Sequence, residues 1–217
     1  MPPLRELFAE PGRPLHLDIG SARGRFLLAM APLHPERNHL GVEIRRPLVE
    51  AAEADRLAAG LANLRFLYAN ANVSLEEWLA ALPPDRLALV TLQFPDPWFK
   101  KRHHKRRVLQ PSLLLALAAA LPPGGEFFLQ SDVAAVMEPM VALVEASGCF
   151  TPAAGAAHHG PDANPLPVPT ERELHVLRRG LPVHRRLYRR TSAPLPSRQT
   201  LEDALRHADN PGDAPAA

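Results

Sequence analysis

Between residues 15 and 147 short apolar runs alternate with longer helical ones, and no other feature restricts the possible folds as much. Leu15-His16-Leu17-Asp18-Ile19 reads as a strand, Gly20-Ser21-Ala22-Arg23-Gly24 as a tight turn, and Phe26, Leu27, Ala29 and Met30 mark the apolar side of a helix. Residues 39–44 repeat the strand pattern, and 46–59 predict a helix that Gly60 stops. Residues 64–68 predict a third strand, and 74–82 a helix capped by Ser74 with Glu77 at the reciprocal position. Residues 87–94 are almost continuously apolar, as in a strand covered on both faces. A helix over 108–121, a fifth strand over 126–130 and a helix over 134–147 follow. Five strands alternating with five helices predict a doubly wound, mostly parallel α/β sheet with right-handed crossovers. Residues 170–179 predict a further helix, and 182–190 a last strand, expected to run antiparallel.

The remaining segments carry less pattern. Residues 152–169, rich in Pro, Ala and Gly, predict a long surface loop. The Pro/Ala-rich stretch 192–217 is expected to be a disordered tail beyond a single domain over 1–191. One cysteine, Cys149, cannot form an internal disulfide and fits a reducing compartment. No run approaches the ~20 apolar residues of a membrane span, so a cytoplasmic protein is expected. The formal net charge of +2 hides two basic concentrations, residues 100–107 and 178–190, neither of which contains Asp or Glu. Charge gathered in this way suits a polyanion.

The first strand-to-helix turn lies where such sheets bind ligands, and Gly20 and Gly24 permit close backbone approach there. Glu43, at the end of the second strand, is placed to accept both hydroxyls of a ribose, as nicotinamide dinucleotide and S-adenosylmethionine sites both require. Asp18 favours the second, because a carboxylate beside a pyrophosphate would repel it. Asn70, at the end of the third strand, can hold an adenine edge through its amide. At the end of the fourth strand, Pro95 and Pro97 restrict the backbone on both sides of Asp96. A basic arm follows directly.

The run Pro95-Asp96-Pro97-Trp98-x-Lys100-Lys101-Arg102-His103-His104-Lys105-Arg106-Arg107 resembles the signature of the tRNA (guanine-N7-)-methyltransferase family. The first turn, Gly41-Val42-Glu43, Asn70, Gln130-Ser131-Asp132 and Thr170-x-x-Glu173 fall in that family's order, so the resemblance spans residues 15–190. It implies a Rossmann-like class I methyltransferase fold and methyl transfer from S-adenosyl-L-methionine to N7 of a guanosine in tRNA, in the variable loop. It further implies that Asp18, Gly20, Gly24, Glu43, Asn70 and Asp96 contact the cofactor, with Asp96 also catalytic. Lys100, Asp132, Thr170, Glu171, Arg172 and Glu173 would contact the guanosine. Arg102, His103, His104, Lys105, Arg106 and Arg107 would contact the RNA backbone.

Three positions depart from the family pattern: Asp18 stands where Glu is usual, Ala22 where Gly is, and Phe99 where Pro is common. The residues alone read similarly. Guanine N7 carries an in-plane lone pair, so the chemistry requires alignment rather than a base. Asp96 would accept hydrogen bonds at the reacting centre and stabilise positive charge there. Thr170 with Glu173 also reads as a helix capping box, and the paired His103 and His104 make a poor metal site. A non-catalytic tRNA-binding protein on the same fold, or a methyltransferase for another RNA base, are the alternatives.

Overall fold

A computed structural model describes residues 1–98, 101–153 and 164–209; the side chains of Lys101, Arg102, His104 and Asp209 lie outside the described set. One seven-stranded sheet organises the chain, in the order β3-β2-β1-β4-β5-β7-β6. Strands β1 (Leu15–Ile19), β2 (Asn38–Glu43), β3 (Leu64–Tyr68), β4 (Leu87–Gln93) and β5 (Glu126–Ser131) pair in parallel. β7 (His184–Arg190) runs antiparallel to β5, as expected, and β6 (Phe150–Pro152) pairs antiparallel to β7. Residues of β1 and β2 are buried along their whole length although His16, Asp18, Asn38, His39 and Glu43 are polar, whereas β4, covered on both faces, is almost continuously apolar.

Helices α2 (Arg25–Met30), α3 (Arg46–Ala58), α4 (Ala71–Ala80), α5 (Pro111–Ala120) and α6 (Ala134–Ala146) follow the parallel strands. Pro47 and Pro111 sit in the first turns of α3 and α5, where a missing N–H costs no intrahelical bond. A large core forms around Leu17, Val90, Leu114, Phe127 and Leu143. A smaller one gathers Phe26, Met30, Val49 and Phe66 between α2, α3 and β3. The layers are those of a doubly wound fold.

Three expectations change. The fourth helix starts at Ala71, not at Ser74, because Asn70 Oδ1 accepts the Asn72 N–H at 3.1 Å and caps it. A short helix α1 (Leu4–Leu7) precedes β1, with Leu4 and Leu7 buried and the Trp78 indole donating to the Pro2 carbonyl at 2.8 Å. Residues read as a disordered tail form α8 (Arg198–Asp209), which packs on α5 and α6 with Leu201 fully buried. Its apolar positions Leu201 and Leu205 are four residues apart, on one face. Helix α7 (Glu171–Arg178) matches the helix expected over residues 170–179 closely.

Candidate functional site

The strand order reverses between β1 and β4, and the crevice beyond their carboxyl ends is the usual ligand position in such sheets. Two adjoining clefts open there, of about 490 and 460 Å³. The first is bordered by Glu43, Asn70 and the turn after β4; the second by Asp18, Arg25, Asp132, Thr170 and Arg172. Gly20, Arg45, Gln93, Phe94, Pro95 and Asp96 border both.

The turn after β1 is shaped by close packing. Gly24 takes φ +71°, and a Cβ there would stand 2.4 Å from the Phe66 ring. Gly20, at φ +83°, faces open space instead, which leaves its backbone accessible to a ligand. Ala22 sits at φ 48°, the left-handed region that favours glycine. Its N–H donates to Glu43 Oε2 at 3.0 Å, while the Arg45 N–H and Nε donate to Oε1 at 2.9 and 3.0 Å. Glu43 is therefore buried and aimed, and its partnership strengthens the Arg45 guanidinium's hold on its proton, with Asp96 adding to the effect.

Asp18 accepts from Thr91 Oγ1 at 2.6 Å and from Gln93 Nε2 at 3.4 Å. Burial pushes its carboxyl up to about 6; the two hydrogen bonds oppose the rise and the charge of Glu43 adds to it. Asn70 is exposed at the start of α4 with its carbonyl oxygen spent on the cap, so its amide group is held in one orientation.

At the end of β4 the backbone strain falls on Phe94, at φ 49°, rather than on Asp96. Phe94 N donates to the Gln130 carbonyl at 2.7 Å, which ties the strained residue to β5. Asp96 stands exposed on the wall common to both clefts. Lys100 lies outside the described residues. Lys101–Arg106 forms a 3-10 helix that folds back on Trp98: the His103 ring meets the indole edge-on at 5.6 Å and the Arg106 guanidinium lies 5.1 Å above it. The arm's far end is pinned by Asn72 and Gln110, whose amides donate to the Arg107 carbonyl at 3.1 and 3.0 Å. Lys105 and Arg106 are exposed and border the first cleft.

Across the second cleft Asp132 pairs with Arg172, and Arg25 with Glu171 at 3.3 Å. Thr170 caps α7 in a complete capping box with Glu173. Glu173 is 1% exposed, and its carboxylate also meets Arg185 at 2.6 Å, Asn164 at 2.9 Å and Gln130 at 3.3 Å. It faces the interior, so Thr170, Glu171 and Arg172 line the cleft while Glu173 supports them.

Asp18, Gly20, Glu43, Asn70, Asp96, Asp132, Thr170, Glu171 and Arg172 thus converge on the paired clefts, whereas Gly24 packs under the turn. The second basic concentration is partly taken up by internal partners, with Arg178 and Arg179 left exposed at the end of α7. Arg185 is buried against Glu173, Arg189 pairs with Glu126, and Arg190 donates to the carbonyls of Ala118, Cys149, Thr191 and Ala193. Arg45, Thr91 and Gln93 were not anticipated. Arg45 follows Glu43 by two residues and Gln93 closes β4, so strand-end position was the available signal.

Together the sheet order, the crevice and its carboxylates define a Rossmann-like α/β fold with a ligand site at its switch point. A family model described as "putative methyltransferase" matches residues 12–186. The tRNA (guanine-N(7)-)-methyltransferase of Parasynechococcus marenigrum (strain WH8102) is 62% identical over 213 residues, covering 98% of this chain and 90% of that relative. The protein of the same name from Synechococcus elongatus is 53% identical over 192 residues, covering 88% and 89%. The chain belongs to the tRNA (guanine-N(7)-)-methyltransferase family. Among solved structures, an rRNA methylase from Streptococcus thermophilus superposes with a TM-score of 0.51 at 13% identity, over 87% of this chain and 92% of that one. A precorrin-6y C5,15-methyltransferase from Geobacter metallireducens gives 0.54 at 13% identity, over 82% and 80%. These two likenesses concern the fold alone.

Proposed function

We infer that this chain transfers a methyl group from S-adenosylmethionine to N7 of a guanosine in tRNA. The observation that carries the reading is Asp96 on the wall shared by two clefts, with a basic arm anchored immediately beside it. One cleft then takes the cofactor and the other the base.

The residues present suit that cofactor. Glu43 offers a buried, pre-aimed carboxylate to the ribose hydroxyls, Asn70 an oriented amide to adenine, and the open side of Gly20 admits close approach. Asp18 borders the second cleft next to Gly20, which both clefts share, so the methionine end of the cofactor reaches it at their boundary, where it supplies negative charge for the ammonium and no pyrophosphate must be accommodated. Bound there, S-adenosylmethionine supplies an electrophilic methyl group on a positively charged sulfur.

The chain's own contribution is alignment and electrostatics. Guanine N7 is unprotonated at neutral pH, so no side chain has to remove a proton before attack. Asp132, Thr170, Glu171 and Arg172 border the cleft assigned to the guanosine, and Lys100 is assigned there from sequence. Asp96 accepts hydrogen bonds from base or cofactor and stabilises the positive charge as it passes to the methylated ring. The arm, with Arg102, His103, His104, Lys105, Arg106 and Arg107, holds phosphates and carries little sequence information. A variable-loop guanosine suits this arrangement, since a base in folded RNA is exposed at less cost than one in a duplex. A tRNA substrate goes with a cytoplasmic setting.

No described helix is long and apolar enough to cross a membrane, and no cluster of three metal-ligating side chains occurs among the described residues. The test is transfer of labelled methyl from S-adenosylmethionine to unmodified tRNA, with the product nucleoside mapped. Label at guanine N7 supports the reading. Folded, cofactor-bound protein that transfers none would sink it, and label at another atom would move the chain to a different base specificity.

A further inference from the structure

A chain of polar side chains runs from Asp18, on the second cleft beside the shared Gly20, into the closed interior, and alignment of methyl donor and acceptor does not require it. Asp18 and Thr91 are partners in the β1–β4 register, and His16 and His39 are partners in the β1–β2 register. Since residues 16 and 18 share one face of β1, the four side chains form a row. Thr91 Oγ1 lies 2.6 Å from Asp18 Oδ1, His16 Nε2 3.0 Å from Thr91 Oγ1, and His16 Nδ1 3.2 Å from His39 Nδ1. His39 Nε2 ends the row 3.4 Å from the His34 carbonyl. All four residues are buried, with His16 and Thr91 fully so.

Counted from Asp18 Oδ1 to His39 Nδ1, the row closes in two continuous patterns, one for the ionised carboxyl and one for a carboxyl protonated on Oδ1. When Asp18 is ionised, the Thr91 hydroxyl donates to it, so His16 donates from Nε2 and accepts at Nδ1 from His39. When Asp18 is protonated, it donates to Thr91, which donates to His16 Nε2. His16 then donates from Nδ1 to His39, and His39 donates from Nε2 to the His34 carbonyl. Each pattern demands the opposite tautomer of His16.

We propose that Thr91, His16 and His39 are positioning residues for Asp18: the row reverses its donor direction with the charge of the carboxyl, and so couples cation binding at Asp18 to the tautomers of two buried imidazoles. The proton balance closes with the net loss of one proton to solvent: the carboxyl proton passes to Thr91 Oγ1, the hydroxyl proton to His16 Nε2 and the Nδ1 proton of His16 to His39 Nδ1, while His39 gives up its Nε2 proton, so that both rings end neutral.

The surrounding charges are specific. Asp18 meets Gln93 and Glu43, with Arg23, Arg25, Arg45, Asp96, Asp132, Glu171 and Arg172 around the same cleft. His16 meets His39, His34 and Arg37; His39 meets His34, Arg37 and Glu36. Burial raises Asp18 to about 6 and lowers His39 to about 4, so reversal falls where Asp18 titrates. A cation beside Asp18 moves that point down.

The coupling rests on the reading of Asp18 as the carboxylate for the cofactor's ammonium group, whereas the tautomer change itself does not. Nitrogen NMR of the histidine rings, run from pH 5 to 8 on the full chain, reads it directly. His16 is expected to carry its proton on Nε2 above about pH 6 and on Nδ1 below it, and S-adenosylhomocysteine is expected to shift that transition down by about one unit. Thr91→Val should abolish the transition and raise the KM for S-adenosylmethionine several-fold more than it lowers kcat, with Thr91→Ser restoring both. A His16 that keeps one tautomer throughout overturns the proposal. So does a folded Thr91→Val, judged by its melting transition, that keeps the wild-type pH profile of S-adenosylhomocysteine binding. Calorimetric binding without movement of the transition overturns the coupling alone; absence of binding overturns the cofactor reading and the coupling with it.

Discussion

Arg185 Nη2 donates to Glu173 Oε1 at 2.6 Å, and neither side chain reaches solvent. The pair ties β7 to the first turn of α7, and thereby sets where Thr170, Glu171 and Arg172 meet the second cleft. Removing one partner leaves the other charge sealed, which costs about 3–5 kcal/mol. Arg185→Met is therefore expected to lower the melting midpoint by roughly 10 °C for a chain of this size. A double variant with Glu173→Leu should lose less than the sum of the single losses, since the orphaned charge disappears. Thermal scans of the three variants decide the point.

Ala22 gives a second test through the backbone alone. At φ 48° an alanine is strained by about 1 kcal/mol or more, and its side chain is not needed for the N–H bond to Glu43. Ala22→Gly removes the strain, partly offset by the greater freedom of glycine in the unfolded chain. A gain of up to about 1 kcal/mol in urea unfolding is expected, with cofactor affinity kept. A clear loss of stability would show that the methyl group packs usefully.

How far the sequence reached is explained by the range of the interactions. Strands β1 to β5 and β7, the turn at Gly20 and Gly24 and the Pro95-Asp96-Pro97 junction depend on local periodicity and backbone restriction and were legible, whereas the three-residue β6 is too short to carry a pattern and was not. Ser74 with Glu77 offered a better local capping pattern than Asn70, yet the helix begins at Ala71 because β3 ends at Tyr68 and the chain must turn there. Arg185 and Arg190 looked like surface charge, because the carboxylate and carbonyls that receive them come from α7, α5 and the segment after β7. His16 and Thr91 are 75 residues apart, so their contact has no local signature. The apolar face of α8 was obscured by the prolines on either side of it.

Acid should destabilise the fold through the buried imidazoles. Burial holds His39 down to about 4 and His16 well below the ordinary 6.5, so both stay neutral in the folded chain. Between pH 6.5 and about 4 the unfolded chain binds more protons at these sites, and stability falls as pH drops. Asp18 acts in the opposite sense: its folded value of about 6 exceeds 3.8, so its protonation favours the folded state in the same window. Two imidazoles outweigh one carboxyl. The denaturant midpoint should fall from pH 6.5 to 5, and His39→Gln should make the fall shallower; a flat profile would contradict the burial assigned to both rings.

Asp96 is exposed, so its loss should leave the fold intact while removing the charge shared by the two clefts. Asp96→Asn is expected to lower methyl transfer by about 100-fold or more with a melting midpoint near wild type. Activity within about tenfold of wild type would mean that another group meets the reacting centre.

The arm provides the last test, because its two roles separate by charge and by stacking. Lys105 and Arg106 are exposed beside the first cleft, and Arg106 also lies over Trp98. If both neutralise tRNA phosphates, Lys105→Ala with Arg106→Ala should weaken tRNA binding and reduce the slope of log affinity against log salt by about one to two. Trp98→Ala keeps every charge but removes the ring that holds the arm in place. It should weaken tRNA binding while leaving the salt slope near wild type, since the same cations still reach phosphate from a less ordered arm. A double charge variant with an unchanged slope would exclude Lys105 and Arg106 from the phosphate contacts. Since Arg185 and Arg190 are committed to internal partners, the search would then turn to the exposed Arg178 and Arg179 at the end of α7.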